Sequence, residues 1–225
     1  QVKLRHMKVS FITVDEAHCI SQWGYDFRPS YLQITEIRKL VPHAPILALT
    51  ATATPEVVDD IQERLGFKEK NAFRMSFERK NLAYVVRQVE DKETEMIHIL
   101  HSIPKTAIVY CRSRRRTKEI AQKLIQNGIP ATWYHAGLEP AIKDQRQNDW
   151  QNDKTRVIVA TNAFGMGIDK PDVRVVIHID CPNSIEAYFQ EAGRAGRDGN
   201  KAYAVLLYNG HDNHTLRKRI EDTFP

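Results

Sequence analysis

The stretch Val9-Ser10-Phe11-Ile12-Thr13-Val14-Asp15-Glu16-Ala17-His18 decides the fold. Residues 9–14 are an almost unbroken run of β-branched and aromatic side chains. Such a run is expected of a strand buried on both faces, as in a parallel sheet covered by helices. It ends in two adjacent carboxylates. Open parallel sheets bind ligands at the carboxyl ends of their strands, so the acidic pair sits where such a fold does its chemistry.

Outward from this stretch the same grammar repeats. Residues 31–40 carry Leu32, Ile34, Ile37 and Leu40 at near-helical spacing, and residues 45–49 read as a second strand. Pro55 opens a helix to Leu65, in the first-turn position where a missing N–H costs little, and Gly66 suits its stop. The pattern lapses over 66–76. Strands are then expected at 81–89, 106–110, 131–134, 156–160, 173–177 and 202–208. Helices are expected at 92–101, 113–127, 140–152, 184–191 and 211–222. This alternation predicts an α/β fold with parallel sheets. Residues 77–225 make a complete doubly wound lobe of five or six strands. Residues 1–76 supply two, where an open sheet of this kind has about five or six. The first lobe is therefore expected to be N-terminally incomplete.

Composition narrows the function classes. The 225 residues suffice for one sizeable core or two modest ones. A net charge of +5 favours a polyanionic partner, nucleic acid above all. No apolar run approaches the ~20 residues that span a bilayer, and no leader opens the chain, so a soluble protein without a membrane partner is expected. Cys19, Cys111 and Cys181 lack CxxC spacing, which argues against a zinc site or a disulfide framework. Reduced thiols fit the cytoplasm, at the nucleoid of a bacterium, or the nucleus of a eukaryote.

Six segments carry chemistry. In nucleotide hydrolases a carboxylate placed like Asp15 holds Mg²⁺, directly or through water, and a neighbour placed like Glu16 polarises the attacking water. The stretch Ser21–Tyr31 packs Trp23, Tyr25, Phe27 and Tyr31 with Arg28 into eleven residues without helical or strand period. Exposed rings beside Arg make a stacking surface for bases, although rings can also simply fill a core. Leu49-Thr50-Ala51-Thr52-Ala53 ends the second strand with hydroxyls suited to short hydrogen bonds. Arg112, Ser113 and Arg114 end one strand and open a basic helix, which favours a phosphate backbone, and Tyr134-His135 ends the next strand on the same edge. Thr161-Asn162-Ala163-Phe164-Gly165-Met166-Gly167-Ile168-Asp169 has two glycines that admit close backbone approach, but no dinucleotide-binding fingerprint. Gln190-Glu191-Ala192-Gly193-Arg194-Ala195-Gly196-Arg197-Asp198-Gly199 offers two Gly-flanked guanidinium groups able to close on a γ-phosphate.

Read in order, these segments resemble motifs II to VI of superfamily 2 helicases. Residues 15–31, DEAHCISQWGYDFRPSY, are similar to the RecQ family, whose hallmark is an aromatic-rich loop after the acidic box. The likeness continues through ALTATA, YCRSR, YHAGLE, FGMGIDKPDVR and QEAGRAGRDG. The resemblance implies two RecA-like lobes and an ATP- and Mg²⁺-dependent DNA helicase with 3′-to-5′ polarity, acting in recombination and repair. Its partners would be single-stranded and duplex DNA, with single-strand-binding or repair proteins. It implies Asp15 and Glu16 for metal and water, with His18, Thr50 and Thr52 coupling the nucleotide to DNA. Trp23, Phe27 and Arg28 would sense single-stranded DNA. Arg112, Ser113, Arg114, His135 and Thr161 would lie on the DNA path. Gly167 and Asp169 would face the nucleotide, and Gln190, Arg194 and Arg197 would approach its phosphates, with Arg197 as the arginine finger. The family's GxxxxGK[ST] loop and its zinc-binding region are not found in these residues, so a chain limited to them is expected not to hydrolyse ATP. An RNA helicase, or a nucleic-acid-binding module without hydrolysis, is the alternative.

Overall fold

The computed structural model describes residues 7–24, 26–165 and 168–223. The chain divides into two compact units, residues 1–77 and 78–225.

The first unit is built on two short parallel strands, β1 (Ile12–Val14) and β2 (Ile46–Ala48), paired Ile12 to Ile46 through Val14 to Ala48. Ile12 and Val14 point into a core completed by Ala17, Ile20, Ala44, Val57, Ile61 and Leu65, while Thr13 between them is exposed. The segment expected as a helix over 31–40 winds as a 3-10 helix over Pro29–Glu36 and becomes α1 only at Ile37–Leu40. Helix α2 (Pro55–Arg64) starts where Thr54 accepts the Val57 N–H at 3.4 Å, with Pro55 in its first turn.

The second unit is a six-stranded parallel sheet of β3 (Leu82–Gln88), β4 (Ala107–Tyr110), β5 (Ala131–Tyr134), β6 (Val157–Ala160), β7 (Val175–His178) and β8 (Ala202–Tyr208). Their spatial order is β3-β8-β7-β4-β6-β5. Alternation along the central strands divides the core in two. Val109, Val159 and Ile177 meet Leu100 of α3 (Lys92–Ser102) and Ile120 and Leu124 of α4 (Arg114–Gln126). Ile108, Ile158 and Val176 meet Trp150 of α5 (Pro140–Gln151) and Ala192 of α6 (Ile185–Ala192). Helices on both faces explain why every residue of β4, β6 and β7 is buried. Helix α7 (Gly210–Thr223) follows β8, held to α3 by Lys92 and Asp212 at 2.6 Å.

The chain leaves β4 toward β5 and returns to β7 on the opposite side of β4. The order therefore reverses between β4 and β7, and a cleft of about 120 Å³ opens at their carboxyl ends. Open α/β sheets bind ligands at such a reversal.

Candidate functional site

In the first unit the chain turns directly after β1. The Ala17 N–H donates to the Leu49 carbonyl at 2.9 Å and the Leu49 N–H to that of Val14 at 2.8 Å, laying the turn across the end of β2. Glu16 adopts left-handed backbone with φ 50°. Such a conformation costs of order 1–3 kcal/mol in a residue with a side chain and persists where its surroundings impose it. Asp15 stays exposed, its Oδ1 accepting the Glu16 N–H at 2.9 Å.

His18 is buried, with Nδ1 3.0 Å from Thr50 Oγ1 and 3.4 Å from Glu16 Oε2. Burial lowers its pKa, with Glu16 and then Asp26 opposing, so the ring is neutral at pH 7. Nε2 lies 3.6 Å from Cys19 Sγ. That thiol is also 3.9 Å from Asp26 Oδ2, and burial followed by Asp26 pushes its pKa up to about 11. Asp26 accepts from Arg28 Nε at 3.0 Å. The donor atoms of His18, Cys19 and Asp26 lie within 4.8 Å of one another. A protonated thiol and a carboxylate neutralised by Arg28 make this a hydrogen-bonded chain rather than a metal centre.

The chain Thr50–His18–Cys19–Asp26–Arg28 joins the acidic box, the segment after β2 and the aromatic-rich stretch. Sequence reasoning missed two of its links. Cys19 reads in the sequence as one of three reduced thiols, and Asp26 is hidden among aromatic neighbours. Trp23 is 77% exposed, whereas Phe27 and Arg28 are half-buried. The Arg28 guanidinium lies 6.0 Å from the Tyr31 ring centroid. Thr52 donates its N–H to Thr50 Oγ1 at 3.3 Å. Tyr25 lies outside the described residues.

In the second unit the predicted residues gather at the carboxyl edge of β4, β5 and β6. Ser113 caps α4, its hydroxyl accepting the Arg116 N–H at 3.5 Å. Arg114 follows, exposed, and its guanidinium and the His135 ring both flank Gly137. Burial and then Arg114 and Arg146 lower the His135 pKa. The Arg112 N–H donates to Asp180 Oδ2 at 3.0 Å, and its Nη1 is buried without a hydrogen-bond partner among the described residues. Thr161 is buried, its N–H on the Tyr134 carbonyl at 3.2 Å and its hydroxyl accepting from Ala163 at 3.4 Å. Asp180, which also receives Arg116 at 2.7 Å, is a residue that sequence reasoning missed. Its signal was available: like Asp15, it is an acid just beyond a buried strand.

The two arginines of the last motif differ. Arg194 is 8% exposed and donates through Nη1 to the Gly165 carbonyl at 2.6 Å, so close that a Cβ on Gly165 would collide with it. Arg197 reaches the Ile168 carbonyl and Asp169 Oδ1, both at 3.2 Å, with its side chain 38% exposed and that of Asp169 83% exposed. Between them Gly196, with φ 61°, is hemmed in by Ala202, Asn200 and Asn81, and its N–H donates to the Val173 carbonyl at 2.8 Å. Gln190 is half-buried in the last turn of α6. Gly167 lies outside the described residues.

Comparison with known proteins bears on this edge-of-sheet chemistry. Residues 91–199 match the helicase conserved C-terminal domain, and residues 1–61 match the DEAD/DEAH box helicase domain. The ATP-dependent DNA helicase RecQ of Pasteurella multocida is 47% identical over 216 residues, covering 96% of this chain and 34% of the relative. The RecQ-like DNA helicase BLM of Xenopus laevis is 44% identical over 222 residues, covering 96% of this chain and 16% of that protein. Among solved structures, S. cerevisiae Dbp5 bound to RNA and ADP BeF3 superposes with a TM-score of 0.70 at 19% identity, covering 99% of this chain and 60% of that one. That likeness concerns the fold, the RecA-like α/β architecture of helicase lobes. Over 96% of its length the chain is similar to RecQ-family DNA helicases, of whose own length it spans about a third or less.

Proposed function

We propose that this chain is part of the motor of an ATP-dependent DNA helicase, coupling ATP hydrolysis to 3′-to-5′ movement on single-stranded DNA and to duplex unwinding in recombination and repair. The observation that carries the proposal is the hydrogen-bonded chain from Thr50 through His18, Cys19 and Asp26 to Arg28. It gives a physical route between a phosphate-chemistry motif and an exposed aromatic platform.

In this reading Asp15 holds Mg²⁺. An exposed carboxylate at the carboxyl end of a parallel strand offers the hard oxygen that this ion prefers. When bound, the ion would neutralise charge on the ATP phosphates. Glu16 orients the attacking water, and His18 holds the Glu16 carboxylate in place. Arg197 supplies positive charge to the γ-phosphate, Arg194 and Gln190 support it, and Gly167 and Asp169 line the nucleotide. Trp23 stacks on a base, with Phe27 and Arg28 behind it. Arg112, Ser113, Arg114, His135 and Thr161 follow the DNA backbone through charge and hydrogen bonds. Single-strand-binding or repair proteins are the expected companions, in the cytoplasm of a bacterium or the nucleus of a eukaryote.

The test uses the full-length protein with ATP, Mg²⁺ and matched duplexes carrying 3′ or 5′ single-stranded tails, in DNA and in RNA. Unwinding confined to 3′-tailed DNA, with ATP turnover stimulated by single-stranded DNA, is the expected result. Turnover indifferent to DNA, or unwinding of the RNA duplex alone, overturns the reading.

A further inference from the structure

We propose that His178 is a positioning residue for the arginine loop of residues 193–199, acting through Glu191. The proposal rests on the reading that Arg197 serves the nucleotide. His178 ends the central strand β7, in register with Tyr110 of β4 on one side and Leu206 of β8 on the other. Its ring is 1% exposed, stacked on Tyr110 at 5.2 Å and met edge-on by Tyr188 of α6 at 4.9 Å. Nε2 lies 2.8 Å from Glu191 Oε2.

The chemistry of this pair fixes its direction. A carboxylate only accepts, so the proton sits on Nε2 and the ring donates to Glu191. Nδ1 is buried without a hydrogen-bond partner among the described residues. Burying the Glu191 carboxylate costs desolvation, so the pair is a poor source of net stability. A directional bond does supply a fixed rotation of the last turn of α6, and the loop begins directly beyond it, at Gly193.

The same strand pair anchors the loop's other support. Tyr110, on which His178 stacks, donates its hydroxyl to the Phe164 carbonyl at 2.8 Å, and Arg194 donates to the adjacent Gly165 carbonyl. The rings of Tyr110 and His178 thus lie behind both the 164–165 segment and the root of the arginine loop. Arg197 itself is exposed, follows Gly196 and touches Ile168 and Asp169 only through its guanidinium tip, so the placement of its backbone depends on these anchors.

The test compares His178→Phe, His178→Gln, Glu191→Ala and the double variant His178→Phe/Glu191→Ala in the full-length protein. Phe keeps the ring contacts and removes the donor, and Gln restores a donor. Single-stranded-DNA-stimulated kcat is expected to fall about tenfold in His178→Phe and Glu191→Ala, with the double variant no worse than either. The KM for ATP should stay within about twofold, because ground-state binding is not the interaction removed. His178→Gln should recover most of the loss. Hydrogen exchange at amides 193–199 should quicken in His178→Phe while amides 107–110 keep their protection. An unchanged kcat, additive losses, absence of rescue by Gln, or exchange quickened equally in β4 would each overturn the proposal. Arg197→Ala is assayed alongside. If it turns over like wild type, the nucleotide reading has failed, and the exchange measurement still decides whether His178 holds the loop.

Discussion

The acidic-box turn of the first unit and the carboxyl edge of the second rest on different foundations. The turn of residues 15–28 hangs from two three-residue strands, each with one partner, and its most telling side chains, Asp15 and Trp23, project into solvent. Side-chain hydrogen bonds hold it in shape. The edge of the second unit rises from strands buried on both faces, and there Thr161, Arg194 and His178 are interior residues. The contrast teaches what a substitution measures. At an exposed position of the turn, such as Asp15 or Trp23, it tests chemistry and leaves the fold. At a buried position of the edge it also removes a part of the core.

The largest expected effect makes Arg197 the exception that sharpens this contrast. Loss of an arginine that stabilises a transferring phosphoryl group costs ~10³–10⁵ in turnover. Arg197→Ala should show a loss on that scale in the ATPase assay, while its melting midpoint moves by less than about 0.5 kcal/mol equivalent, as for most exposed side chains. Lys should rescue poorly, lacking the planar fork. Arg194→Ala should behave otherwise, because the Gly165 carbonyl loses its buried donor. Orphaning such a group costs ~1–3 kcal/mol, so its melting curve should shift with its activity. A variant of Arg194 that melts like wild type would break the contrast.

Next in size is a purely structural pair. Trp150 is fully buried, with Nε1 donating to the Ala107 carbonyl at 3.1 Å. Trp150→Ala should cost ~3–5 kcal/mol. Leu47, in the middle of β2, is 49% exposed, and Leu47→Ala should cost less than about 1 kcal/mol, since little apolar area is lost from the interior. Chemical denaturation of both variants checks the claim that depth of burial, not position in a strand, separates the units.

Legibility in the sequence follows the same division. In the second unit β5 and β8 begin and end where their runs of aliphatic, aromatic and β-branched residues do, because such side chains fit a pleated, half-buried surface. Where a boundary shifted, a tertiary contact moved it. Strand β7 starts at Val175 rather than 173 because the Val173 carbonyl is taken by Gly196 of the arginine loop, a partner remote in sequence. Strand β1 is shorter than the run over 9–14 because β2 supplies only three partners. The helical spacing of 31–40 produced a 3-10 winding, since spacing reports which face is buried and not how tightly the backbone coils. The site was legible wherever chemistry showed as an unusual cluster, as in residues 15–18 and 190–199. It was not legible where a common residue acts through one neighbour, as Cys19, Asp26, His178 and Asp180 do.

Trp23 tests the turn directly. Base stacking on an aromatic side chain is worth ~1–3 kcal/mol per base. Trp23→Ala should weaken single-stranded-DNA binding within that range and lower DNA-stimulated ATPase more than basal ATPase. Its thermal midpoint should not move, because a ring with 77% of its surface exposed contributes little to the core. A large drop in midpoint with proportionate loss of every activity would place the ring in the core and remove the turn's role as a platform.

The smallest expected effect separates the units by pH. Burial holds the folded-state pKa of His18 below its ordinary 6.5, with Glu16 and Asp26 opposing. Between the folded value and 6.5 the unfolded chain binds more protons, so stability rises with pH there. The contribution of neutral His18 is therefore complete above pH 6.5 and is lost as the pH falls below it. Charging the ring would also disturb its contact with Cys19, and through the thiol the bond to Asp26. Hydrogen exchange followed through this window should show amides 15–28 losing protection before those of β4 and β6, and His18→Gln should flatten the dependence. His135 is lowered in the same direction, first by burial and then by Arg114 and Arg146, but it follows β5, which pairs with the fully buried β6. If β4 and β6 lose protection together with the turn, acid sensitivity belongs to both units, and the difference in foundation does not extend to their titration.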